Sequence, residues 1–161
     1  MGLKAAQTVR LRLDNVQIPA SQQLTVDYRE FLDLSGLAAC ALAVGTAQAV
    51  LDYVTVYVNE REAFGEPISH RQAVAFMVAD MATELEAMRL MTWRACARAE
   101  HGQPFHREAH LARLFCAEKA MKIGTDGVQL LGGHGYTKEH PVERWYRDLR
   151  AVALMTGLLS L

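Results

Sequence analysis

Residues 69–91 read SHRQAVAFMVADMATELEAMRLM, and the spacing within this stretch decides the fold. Met77, Met81, Leu85, Met88 and Met91 recur at steps of three and four, the apolar stripe of an amphipathic helix. Ser69 with Gln72 three positions on has the spacing of a capping box, so this helix is expected to begin at Ser69. Methionine is unbranched and fills irregular core space, so the stripe reads as core rather than as a cofactor box.

Upstream, Asp33 to about Glu62 predicts a first helix, with a mostly small face along Ala38, Ala41, Val44, Gly45 and Gln48 that permits close packing. It is expected to end near Phe64-Gly65, before Pro67. Downstream, Gly102-Gln103-Pro104 is a break. A third helix is expected from about Arg107 to Leu131, with Leu111, Leu114, Phe115, Met121 and Val128 inward, stopped by Gly132-Gly133-His134-Gly135. Pro141 suits the first turn of a fourth helix through Val142, Trp145, Leu149 and Val152. Long helices joined by short loops give a mainly α chain, an antiparallel four-helix bundle over about Leu32 to Met155. The start of the chain differs. Val9, Leu11 and Leu13 alternate with Arg10, Arg12 and Asp14, the period of a half-buried strand, and Asn15 to Pro19 turns the chain out. One strand cannot bury its face alone, so this short β segment is expected to be the edge of a larger sheet.

Composition narrows the function classes. Of 161 residues, 51% are hydrophobic and 22% charged, with a net charge of -1 and both signs mixed along the chain. No basic patch points to nucleic acid. The apolar stretch Leu37 to Val50 is broken by Gly45, Thr46 and Gln48 and is too short for a membrane span. No secretory signal or myristoylation pattern is expected at the N-terminus. Cys40, Cys96 and Cys116 are far apart and odd in number, which suits reduced thiols in a cytoplasmic compartment. His70, His101, His106, His110, His134 and His140 fall mainly near helix ends or loops, and no Glu-x-x-His occurs, so no metal site is expected. There is no nucleophile elbow, P-loop or dinucleotide fingerprint.

Three segments carry more chemistry. The first is Arg61-Glu62-Ala63-Phe64-Gly65-Glu66-Pro67-Ile68, followed by Gln72. The second is Gln129-Leu130-Leu131-Gly132-Gly133-His134-Gly135-Tyr136, and the third Pro141-Val142-Glu143-Arg144-Trp145-Tyr146-Arg147-Asp148. Arg61 can grip a phosphate through a planar fork of donors. Gln72 offers an amide near a helix's positive end, and paired glycines let backbone approach a ligand closely. Taken singly, a surface arginine, a cap, a helix stop and a structural ion-pair cluster explain them as well.

In this order and combination the segments resemble the acyl-CoA dehydrogenase family, over about residues 1 to 157. The patterns are R-x-x-F-G-x-x-I with a following Gln, Q-x-x-G-G-x-G-Y, and P-V-E-R-x-Y-R-D. The resemblance implies a flavoprotein built from an N-terminal helical domain, a middle β-domain and a C-terminal four-helix bundle. Residues 1–30 would then be the end of the β-domain and 31–161 the bundle, with the N-terminal half outside this chain. It implies FAD as cofactor and an acyl-CoA thioester as substrate of the complete protein. It also implies a homo-oligomer (dimer or tetramer), or a partner chain supplying the other domains. Arg61 and Gln72 match residues that contact the FAD of a neighbouring subunit, with Phe64 packing nearby, and Gln129, Gly132 and Gly133 match the adenosine-side contact. Glu143, Arg144, Arg147 and Asp148 match a cluster that fixes helix packing.

The departures concern catalysis. The family abstracts an α-proton with a glutamate, a carboxylate whose pKa burial can raise toward neutrality. Thr156 stands at the usual base position and Ser35 at the alternative one. Gly36 replaces a substrate-binding arginine, and Leu158, Leu159 and Ser160 replace a further flavin contact. The expectation is a dehydrogenase-like domain inactive alone; a non-catalytic assembly subunit is the second reading and an unrelated helical module the third.

Overall fold

The fold is taken from a computed structural model, which describes residues 2–7 and 9–155. Thr156 and the segment after it lie outside the described residues. Four helices dominate: α1 Tyr28–Glu60, α2 Gln72–Glu100, α3 His106–Leu131 and α4 Val142–Met155. They run up, down, up, down. Asp33 of α1 meets His106 at the head of α3, Arg89 of α2 reaches Gln48 of α1, and Gly127 of α3 faces Val142 at the head of α4. The antiparallel bundle expected from the spacing is the one observed.

Helix α1 opens on Asp27, whose carboxylate accepts from the amides of Arg29 and Glu30, satisfying two of the orphan donors of the first turn. Its buried face is Asp33, Gly36, Leu37, Cys40, Ala43, Ala47, Val50, Val54 and Val58, nearly all small. By length and composition α1 could cross a membrane. Here its apolar stripe is a central packing face of the bundle, meeting Met81, Leu85, Met88, Ile123, Val142 and Leu149 in one core. The stripe of α2 lies where its period put it, with Met81, Leu85 and Met88 buried.

Three expectations need correction. Val9, Leu11 and Leu13 form no strand; they are exposed at 86%, 77% and 68%, because a ladder needs a second strand and none pairs with them among the described residues. Helix α2 starts at Gln72, not Ser69: Ile68–His70 makes one tight turn first, and Arg71 takes the N-cap position with no side-chain cap. On α3 Val128 is inward as expected, but the rest of the inward face is Ala109, Ala112, Cys116, Ala120 and Ile123, while Leu111 and Leu114 face outward. α3 packs against all three other helices, and small residues are what permit that crowding. At the head of α4, the Pro141 carbonyl accepts from the amides of Arg144 and Trp145, and Arg147 clasps Glu143 with two hydrogen bonds of 2.9 and 3.0 Å.

Candidate functional site

The end of α1, the head of α2 and the end of α3 meet at one end of the bundle. Helix α1 stops as Arg61 turns extended, its amide still donating to the Tyr57 carbonyl. A minimal hairpin follows, β1 Glu62–Ala63 paired with β2 Glu66–Pro67. Its two turn residues, Phe64 and Gly65, both take positive φ, 60° and 86°. That is the mirror-image turn that suits a two-residue hairpin. Glycine adopts it freely; phenylalanine does not, and such backbone costs about 1–3 kcal/mol. The ring gains no burial in exchange, for Phe64 is 96% exposed. Bulky side chains held this way are a recurrent mark of functional sites.

On the facing side α3 ends at Gly132, whose φ of 58° and ψ of -131° no L side chain adopts comfortably. The turn Gly132–Tyr136 follows, seated on α3 by Gly135, where a Cβ would collide with the Val128 carbonyl. Between the hairpin and this turn lies an open cavity of about 670 Å³. Arg61, Phe64, Gln129, Gly132 and Gly133 all line it. Gln72 does not, although its neighbours Arg71 and Ala73 do.

Tyr57, Arg71 and His134 also line it, though none was given a site role from the sequence. The Tyr57 hydroxyl is 2.9 Å from Nδ1 of His134, and one turn earlier the Tyr53 hydroxyl is 2.7 Å from Nδ1 of His140. The two imidazoles stack with centroids 5.4 Å apart. These two histidines, set aside as loop residues, therefore tie the glycine turn to α1. The available signal was Tyr53 and Tyr57 at helical i,i+4 spacing, with no sequence rule to pair them to a distant loop.

The expected catalytic positions lie elsewhere. Ser35 is exposed, and its hydroxyl donates to the Phe31 carbonyl at 2.7 Å. At Gly36 a Cβ would run into the Arg113 side chain, so no residue with a side chain fits without Arg113 moving. Asp33 is buried, with Oδ2 2.7 Å from Nδ1 of His106. At 1.5 Å rise per residue, this end of α1 is about 40 Å from the Arg61 cavity. Among the described residues no three His, Cys, Asp or Glu side chains gather as metal ligands would.

Residues 27–158 match the model of the acyl-CoA dehydrogenase C-terminal domain. The chain is 39% identical to the probable acyl-CoA dehydrogenase YngJ of Bacillus subtilis, over 98% of this chain and 43% of that protein. It is also 39% identical to the mitochondrial short-chain specific acyl-CoA dehydrogenase of Bos taurus, over 98% of this chain and 40% of that one. Among solved structures, the butyryl-CoA dehydrogenase of Megasphaera elsdenii superposes with a TM-score of 0.78 at 33% identity, covering 80% of this chain and 33% of that chain. The FAD and proline complex of PigA superposes with a TM-score of 0.84 at 25% identity, covering 89% and 39%. The chain thus spans well under half the length of the relatives it matches.

Proposed function

The chain belongs to the acyl-CoA dehydrogenase family through its C-terminal helical domain, and on that premise we propose that its Arg61 cavity is a contact surface for FAD within an assembled acyl-CoA dehydrogenase. The observation that carries the proposal is the convergence of Arg61, Phe64, Gln129, Gly132 and Gly133, from two segments far apart in the chain, on one cavity. The donor set fits the cofactor. Arg61 is exposed, and its guanidinium can face a phosphate with a planar pair of N–H groups. Gln129 supplies an amide, and at Gly132 and Gly133 a Cβ would meet nothing, so backbone there is open to a ligand's approach. Phe64 offers an uncovered ring. FAD, when bound, supplies the acceptor for a hydride leaving an acyl-CoA substrate; this chain's residues hold and orient it. Gln72, at the head of α2 beside the cavity, joins them from its exposed position.

The rest of the site comes from other protein, by this reading. The uncovered period-two segment around Val9 to Leu13 completes a sheet, with residues 1–30 belonging to a β-domain and 31–161 to the bundle. The exposed small face of α1 at Ala38, Ala41, Leu42 and Gly45 packs against another subunit of a dimer or tetramer. All three cysteines are free, which suits a cytoplasmic location. With Ser35 turned onto its own helix and Thr156 at the usual base position, the chain by itself does not dehydrogenate acyl-CoA. The test is titration with FAD of the chain assembled with the domains that complete the site, followed by flavin fluorescence. Arg61→Met together with Gln129→Leu is expected to weaken binding at least tenfold. Unchanged affinity in this double variant would refute the proposal. The reading as a non-catalytic assembly subunit gains instead if the assembled protein acquires no flavin.

A further inference from the structure

We infer that Arg71 is a second phosphate-binding residue of the cavity, countered by Glu66 until a diphosphate-bearing ligand displaces that carboxylate. The inference rests on the reading of the cavity as an FAD surface and adds to it a residue and its counter-ion.

Arg61 and Arg71 both line the cavity, Arg61 from the end of α1 and Arg71 from the head of α2. The Arg71 backbone is fixed: its amide donates to the Ile68 carbonyl, and its carbonyl accepts from Val74 and Ala75. Its guanidinium has two neighbours. The carbon Cζ sits 5.4 Å from the centroid of the Phe64 ring, and Nη2 lies 3.2 Å from Glu66 Oε1. A guanidinium lying on an aromatic face keeps its donors free in its own plane. Only Nη2 faces a carboxylate; Nε and Nη1 take no hydrogen bond among the described residues. This gives the exposed Phe64 ring a use, as the platform that orients Arg71. Glu66 is shared, for its other oxygen is 3.3 Å from Nδ1 of His70. An arriving phosphate therefore competes with Glu66 for Arg71 and finds Arg61 without an ion pair among the described residues. Two guanidinium groups at one cavity match the two negative charges of an internal diphosphate better than a neutral ring or a single anion.

The experiment compares FAD, ADP-ribose and adenosine as probes of the chain assembled with the domains that complete the site, by isothermal titration, in the wild type and in Arg71→Met, Arg71→Lys, Glu66→Gln and Arg61→Met. Loss of one charge-assisted contact predicts about tenfold weaker binding of FAD and ADP-ribose by Arg71→Met, with adenosine unaffected. Arg71→Lys is expected to recover part of the loss, having the charge without the planar fork. Glu66→Gln is expected to tighten both diphosphates severalfold, and to lose that effect in the Arg71→Met background, which the mere removal of a nearby negative charge would not do. Wild-type affinity in Arg71→Met, with loss in Arg61→Met, would overturn the role of Arg71 and leave the cavity assignment standing. Wild-type affinity in both, or no binding of either diphosphate by the wild type, would overturn both. Should Arg71→Met fold poorly, the Arg71→Lys and Glu66→Gln results decide: unchanged or weaker binding by Glu66→Gln counts against the inference.

Discussion

Gly127 measures how closely α1, α3 and α4 are packed beneath the cavity. A Cβ at this position would stand 2.6 Å from Cγ1 of Val50 and 3.3 Å from Cγ1 of Val142. Carbon atoms rest about 3.5–4.0 Å apart, so Gly127→Ala overlaps Val50 by about 1 Å. Val50 is fully buried in a helix, where its χ1 has essentially one rotamer, so the overlap is relieved only by moving helices. Overpacking of this kind costs about 1–3 kcal/mol. Replacing a mid-helix glycine by alanine returns about 1 kcal/mol. The expected net is a destabilisation of about 1 kcal/mol, or a fall of about 2–4 °C in Tm for a domain of this size. Gly45 is the control within the bundle: it is also mid-helix, but a Cβ there would meet nothing in this chain, so in the dissociated chain Gly45→Ala should stabilise by up to about 1 kcal/mol. Urea unfolding followed by far-ultraviolet circular dichroism measures both. Adding Val50→Ala to Gly127→Ala should recover part of the loss, giving a favourable coupling of about 1 kcal/mol. If Gly127→Ala raises the midpoint as Gly45→Ala does, the close approach of α1 and α3 is wrong.

Thiol chemistry and pH offer two further tests. Cys96 is exposed, while Cys40 and Cys116 are buried, and the hydrogen bond with Cys116 together with burial pushes the Cys40 thiol well above its ordinary range. One thiol should therefore react with a disulfide reagent in the native protein and three in denaturant; two fast native thiols would contradict the packing of α1 on α3. Arg147, hydrogen-bonded to Glu143, holds that carboxyl below its ordinary value. A depressed folded-state pKa contributes stability above the unfolded value, lost as pH falls through the folded one. The stability gap between wild type and Glu143→Gln should accordingly be present at neutral pH and close in the acid range below the usual carboxylate pKa; a gap that widens on acidification would reverse the assignment.

The features that were legible in the sequence are those written in large side chains at regular spacing. Met81, Leu85 and Met88 announce the face of α2 because each fills core volume that smaller residues could not. The same habit of reading misjudges α3, where Leu111 and Leu114 are the large residues and Ala109, Ala112, Cys116 and Ala120 form the buried stripe. A helix surrounded by three others is recognised by where side chains are absent. The capping box at Ser69 fails for a local reason: the chain leaves the hairpin through Pro67 and spends Ile68–His70 on a tight turn before α2 begins. The segment Val9 to Leu13 has the period of a strand but pairs with none among the described residues, and period alone cannot supply a partner.

The cavity shows the same division. Arg61 and Gly132 are seventy-one positions apart, yet helix count alone brings them to one end. In an up-down-up-down bundle α1 and α3 run the same way, so both end at the same face. That parity follows from three breaks visible in the sequence, at Phe64-Gly65, at Gly102-Gln103-Pro104 and at Gly132-Gly133. The partners of the remaining lining residues depend instead on how far each helix is rotated about its axis and how each loop folds back. Tyr57 meets His134 only because α1 turns that tyrosine toward the α3–α4 connection. Arg71 meets Phe64 only because the hairpin turn takes positive φ at both central residues. Tyr57→Phe keeps the parity and removes only the hydroxyl that meets His134, so amide hydrogen exchange should quicken over Gly132–Tyr136 and stay unchanged in the middle of α1 and α3; unchanged exchange in the turn would show that the contact does not hold it.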